Sequence, residues 1–175
     1  MKLRLSRLFA LSLCMMASCI SPPNYPIEPV ITFASLSRTE VDQKDTVRIK
    51  VEFTDGDGDL GFATQDTLCK LCNLDTCLGG GRSLFLIDDR VPQCFTAVYQ
   101  IPVIPPKGSS DAISGEIDFT SPPICCINAG FPCVLDPVKI LDTVYFSVFL
   151  RDRAGNISDT LALPPIIIRC DRIVQ

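Results

Sequence analysis

Three carboxylates alternate with glycines in the stretch Phe53-Thr-Asp-Gly-Asp-Gly-Asp-Leu-Gly-Phe62. Gly56 and Gly58 let the backbone curl, so Asp55, Asp57 and Asp59, which would splay apart on an extended strand, can turn toward one point. Carboxylates held that close repel one another unless a cation lies between them, and hard oxygen ligands at this density suit Ca2+. The competing reading is a solvated acidic turn closing the apolar, β-branched run 47–53. Ligand density favours the ion. The pattern is not an EF-hand: Leu60 stands at the sixth loop position, where that motif needs glycine, and Gly61 comes one residue late.

The elements that would position these acids read as strands. Hydrophobic residues make up 47% of the chain, with 14 Pro and 10 Gly, and helix-period patterns are few, which points to an all-β chain with many turns. Seven runs rich in Val, Ile, Phe and Thr are expected at 29–37, 46–53, 83–87, 95–104, 112–119, 144–150 and 157–168. Turn-forming residues separate them, among them Asp42-Gln-Lys-Asp45 and Arg153-Ala-Gly-Asn156. Seven short strands predict an immunoglobulin-like antiparallel β-sandwich, with a barrel as the alternative. Lettered A, B, C, C′/D, E, F and G in that order, alternate strands run in opposite directions. The B–C connection and the F–G turn then share one end of the sandwich. Asp152 closes the sixth strand and Glu28 opens the first, so both carboxylates are expected beside Asp55, Asp57 and Asp59. Asn156 is expected to serve the left-handed turn of Ala-Gly-Asn rather than to bind the ion.

Other chemistries find less support. The chain has no histidine, which removes the commonest general base and the commonest transition-metal ligand. No serine elbow, Cys/His pair or phosphate-binding glycine loop is present. A carboxylate-dependent hydrolase of glycosidase type remains an alternative, using Asp55 with Asp152 or Asp88 with Asp89. Neighbours on a strand point to opposite faces, which argues against the second pair. Eight cysteines follow Cys19: Cys69, Cys72, Cys77, Cys94, Cys125, Cys126, Cys133 and Cys170. Without histidine a zinc site would need thiolates alone, whereas an even number in an oxidising compartment predicts disulfides. Cys69, Cys72 and Cys77 fall in a disulfide-rich B–C insertion at the ion end, and the other five at the opposite end. Complete pairing therefore needs at least one bridge between the groups. Adjacent Cys125 and Cys126 should have separate partners.

The first residues read as a targeting segment: Lys2, Arg4 and Arg7, then an apolar stretch from Leu8 to Ala17, short for a bilayer span. Met16-Ala17-Ser18-Cys19 resembles a bacterial lipobox, which implies lipidation of Cys19. The expected organisation is a signal peptide over 1–18, a lipidated cysteine and Pro-rich spacer over 19–27, and a sandwich domain over 28–175. The spacer, if polyproline-like, spans roughly 25 Å. Losing three basic residues with the signal takes the net charge from −4 to about −7, which disfavours nucleic acid as a partner. The stretches Tyr25-Pro-Ile-Glu-Pro-Val-Ile-Thr-Phe33, Phe53-Thr-Asp-Gly-Asp-Gly-Asp-Leu-Gly61 and Arg151-Asp-Arg-Ala-Gly-Asn-Ile-Ser158 together resemble a group of Bacteroidetes envelope lipoproteins with an immunoglobulin-like domain and no established activity. The heavy cysteine load departs from that group. The resemblance implies a non-catalytic envelope lipoprotein, membrane-attached through its lipid; no acidic run of the kind that accompanies surface export in such lipoproteins follows Cys19, so the expected position is the outer membrane facing the periplasm. Its expected role is a calcium-stiffened binding or structural module for a protein or glycan ligand.

Overall fold

The computed structural model describes residues 24–63, 81–91, 96–106, 111–128, 131–133 and 139–173. Twelve strands run through them: β1 (Val30–Leu36), β2 (Glu40–Gln43), β3 (Arg48–Asp55), β4 (Leu84–Asp88), β5 (Ala97–Tyr99), β6 (Ile113–Thr120), β7 (Ile127–Asn128), β8 (Phe131–Pro132), β9 (Leu141–Val144), β10 (Phe146–Leu150), β11 (Leu161–Ala162) and β12 (Ile166–Ile173). No helix is present among the described residues.

One layer is the antiparallel sheet β1-β3-β6, and the other carries the order β11-β10-β4-β5. A further ladder, β2-β12-β9, extends the second layer, because β9 and β10 are consecutive pieces of one strand separated by Tyr145. Their partners β12 and β11 are likewise pieces of one returning strand. Leu163-Pro164-Pro165 lies between those two pieces; proline lacks the N–H a ladder needs, so the register breaks there. The pairing Ala162↔Ser147 on one side and Ile166↔Val144 on the other differs by one residue, the mark of a bulge. The result is the immunoglobulin-like β-sandwich, with one parallel pair, β2 with β12.

The core follows from period-two alternation. In β3, Ile49, Val51 and Phe53 point inward beside Ile31 of β1, facing Leu84 and Leu86 of β4, Val148 and Leu150 of β10, and Ile166 and Ile168 of β12. Among the described residues, two disulfides close the end away from Asp55: Cys125–Cys133 and Cys126–Cys170. The adjacent pair thus takes separate partners. Cys19, Cys69, Cys72, Cys77 and Cys94, and with them the B–C insertion, lie outside the described residues.

Two expectations are corrected here. The tetrad Asp42-Gln-Lys-Asp45 does turn, with Asp45 N–H donating to the Asp42 carbonyl at 3.1 Å and Lys44 left-handed at φ 69°, but a strand absent from the seven expected runs, Glu40–Gln43, leads into it. Gln43 is fully buried because its amide is used, with Nε2 donating to the Cys170 carbonyl at 2.7 Å and Oε1 accepting from the Cys126 N–H at 3.3 Å. The expected strand over 95–104 contracts to Ala97–Tyr99 within the described residues, since Pro102, Pro105 and Pro106 remove the donors that a longer ladder requires.

Candidate metal centre

The ladder between β3 and β6 ends at Asp55↔Ile113, and the acidic loop begins there. Gly56 sits against the backbone of the N-terminal segment, where a Cβ would stand 2.3 Å from the Tyr25 carbonyl oxygen. Gly58 turns the chain at φ +68°, a conformation that costs glycine little. Leu60 then returns to the core with no exposed surface, and its N–H donates to Asp55 Oδ2 at 2.9 Å. A leucine at this point anchors the loop in the sandwich, unlike the open helical loop of an EF-hand.

The F–G turn, after β10, supplies the other wall. Asp152 Oδ1 accepts the N–H groups of Gly155 and Asn156 at 2.7 and 2.8 Å, and its Oδ2 accepts Asn156 Nδ2 at 2.7 Å. The two segments are stitched together by Ala154 N–H donating to Asp59 Oδ2 at 2.9 Å and Arg153 Nη1 donating to the Gly61 carbonyl at 2.8 Å.

Four carboxylates converge as a result. Asp55, Asp57, Asp59 and Asp152 each offer an oxygen, and these atoms lie within 4.8 Å of one another. Asp55 and Asp152 have no exposed surface, and Asp57 faces solvent. Burial pushes the Asp55 carboxyl up to about 6; the N–H of Leu60 opposes this, while Asp57 and the charge of Asp59 add to it. Asp59 is raised as well, first by burial and then by the charge of Asp152, against the Ala154 N–H and Arg153.

Asp55 Oδ1 and Asp59 Oδ1 are buried without a hydrogen-bond partner. An orphaned buried acceptor costs about 1–3 kcal/mol, and more when charged. A cation among the four acids would satisfy both atoms and remove the repulsion. The donor set consists of hard oxygens, which fits Ca2+: six to eight oxygens in flexible geometry, with carboxylates binding through one or both atoms. Zinc would want nitrogen or sulfur.

Four of the five acids expected to meet therefore do so. Glu28 does not: it is exposed and stands outside the group of four. Asn156 serves the left-handed turn, as expected: Gly155 is the left-handed residue, at φ +98°, and Asn156 closes the turn on Asp152 through its N–H and its side-chain amide. An aspartate followed at the third and fourth positions by Gly-Asn was the available sequence signal, since Asp side chains commonly accept from N–H groups just ahead of them.

The acid pairs considered for hydrolysis are differently placed. Asp88 is bound to Arg90 at 2.6 Å, which also holds Asp142 at 2.8 Å, whereas Asp89 faces the Ser147 hydroxyl. Asp55 and Asp152 are close but have no exposed surface. Cavities of about 310, 370 and 590 Å³ occur elsewhere, and none of the four clustered acids lines them. No family model matches the chain, and no curated protein matches it.

Proposed function

We propose that the protein is a non-catalytic lipoprotein of a bacterial envelope whose immunoglobulin-like domain is stiffened by one calcium ion held by Asp55, Asp57, Asp59 and Asp152. The observation that carries the calcium reading is the orphaned Oδ1 of Asp55, an unpaired carboxylate oxygen on a fully buried residue and within reach of three other acids. A solvated turn has no reason to bury such an atom. The absence of exposed surface on Asp55 and Asp152 favours a structural ion over acid–base work, because a general acid must reach its substrate. Chelated protein titrated with calcium in a calorimeter should take up one ion per chain. Absence of heat at millimolar calcium would return the acidic stretch to the status of a turn.

The envelope address rests on the lipobox-like Met16-Ala17-Ser18-Cys19 and agrees with the two disulfides, which persist in oxidising compartments. Attachment is through lipid on Cys19, and the sandwich is presented to a protein or glycan ligand. The acidic surface disfavours nucleic acid. Cys19→Ser should shift the protein from the membrane fraction to the soluble fraction; retention in the membrane would remove the anchor from this reading.

A further inference from the structure

Resting on the calcium reading above, we propose that the cation centre is a latch for the N-terminal arm, residues 24–28, and so controls how the domain is held relative to whatever precedes it. The arm has little of its own to keep it in place. Asn24, Pro26, Ile27 and Glu28 are exposed, Ile27 to 57%, and the ladder with β3 starts only at Val30↔Thr54. What seats it is the acidic loop. Gly56 N–H donates to the Pro26 carbonyl at 2.8 Å, and the missing side chain of Gly56 leaves the space that the Tyr25 and Pro26 carbonyls fill.

Gly56 lies between two of the four clustered acids. Its position follows theirs, because Asp55 is held by Leu60 N–H on one side while Asp57, on the other, faces solvent. With a cation present, both carboxylates are drawn to one point and the Gly56 N–H is aimed at the arm. Without it, repulsion among four carboxylates is relieved most easily by swinging Asp57 outward, which rotates the Gly56 peptide away from Pro26. Binding at two sites coupled in this way is reciprocal: docking the arm strengthens cation binding by the factor by which the cation strengthens docking.

The chain contains no tryptophan, so Tyr25→Trp places a single reporter in the arm at a half-buried position. Calcium should lower acrylamide quenching of this tryptophan at least about twofold relative to chelator and raise its anisotropy, in the same samples whose calcium uptake is followed by calorimetry. Adding Gly56→Ala, whose Cβ would collide with the Tyr25 and Pro26 carbonyls, should leave quenching high with or without calcium. It should also weaken calcium affinity at least about fivefold, the low end of typical couplings. Hydrogen exchange of wild-type protein gives a second reading that needs no variant: the Gly56 amide should exchange at least about tenfold more slowly with calcium. Calcium uptake with unchanged quenching and unchanged Gly56 exchange overturns the latch and leaves the ion site standing. Calcium-dependent protection of the reporter tryptophan that survives Gly56→Ala also overturns it. No calcium uptake at all overturns both.

Discussion

Saturating calcium should raise the melting temperature of this protein by about 5–10 °C over the chelated form. A ligand at a hundred times its dissociation constant stabilises the fold by about 2.7 kcal/mol, and a chain of this size shifts by about 2–4 °C per kcal/mol. The response should also depend on pH in a defined direction. In the ion-free protein the Asp55 carboxyl is raised from 3.8 to about 6, chiefly by burial. A carboxyl whose folded value lies above its unfolded one supports the fold at low pH, and that support is lost as pH rises from about 4 through about 6. Calcium needs the ionised carboxylates, so its binding releases protons and strengthens over the same interval. The gap between calcium and chelator melts should therefore be close to zero near pH 4 and full by pH 7. Asp57→Asn combined with Asp59→Asn should abolish the calcium response at every pH. In chelator that variant should melt no lower than wild type, because two like charges have been removed from the cluster. A calcium response of equal size at pH 4 and pH 7, or one that survives the double substitution, would mean that the ion binds elsewhere.

Removing the Cys126–Cys170 bridge should produce the other large effect. It joins residues 44 apart, while Cys125–Cys133 joins residues 8 apart. In the chain-entropy account the longer loop contributes about 4 kcal/mol and the shorter about 2.5. Both cysteines of the longer bridge are in the core, at 1% and 0% exposure, so their loss also leaves a void. Cys126→Ala with Cys170→Ala should then cost at least about 4 kcal/mol in denaturant unfolding and lower the melting point by about 8–16 °C. Cys125→Ala with Cys133→Ala should cost noticeably less. The Gln43 amide spans the backbone of the longer bridge, so its two bonds are expected to weaken with it. Equal losses from the two pairs would overturn this ranking.

Several features of the molecule are written locally. The runs that became β1, β3 and β6 are legible because one sheet face is buried and the other wet, which imposes a period of two on residue type. The acidic loop is legible because Asp-Gly-Asp-Gly-Asp cannot be a strand and has few other uses for its charge. Asp152 could be placed beside it from strand direction alone, since six alternating strands return the F–G turn to the end where the B–C connection begins. The separate partners of Cys125 and Cys126 followed from covalent geometry.

What the tertiary structure decided is burial and partnership, and both are sums over residues far apart in the chain. Glu40–Gln43 lies outside the seven expected runs; it is a strand because β12 lies parallel to it and offers Gln43 the Cys170 carbonyl. The run 157–168 reads as continuous, yet it divides where prolines interrupt a ladder whose other half is β9 and β10, upstream in the chain. Glu28 has the right charge and the right end of the sandwich but faces solvent, because the arm docks by its backbone on Gly56. The state of Asp55 is the clearest case. Its sequence neighbours say only that it is acidic. Burial raises its pKa, Asp57 and Asp59 add to the rise and the Leu60 N–H opposes it, while one of its oxygens is left without a partner among four converging acids. Charge is a property of the residue, whereas the cost of holding that charge is set by everything packed around it.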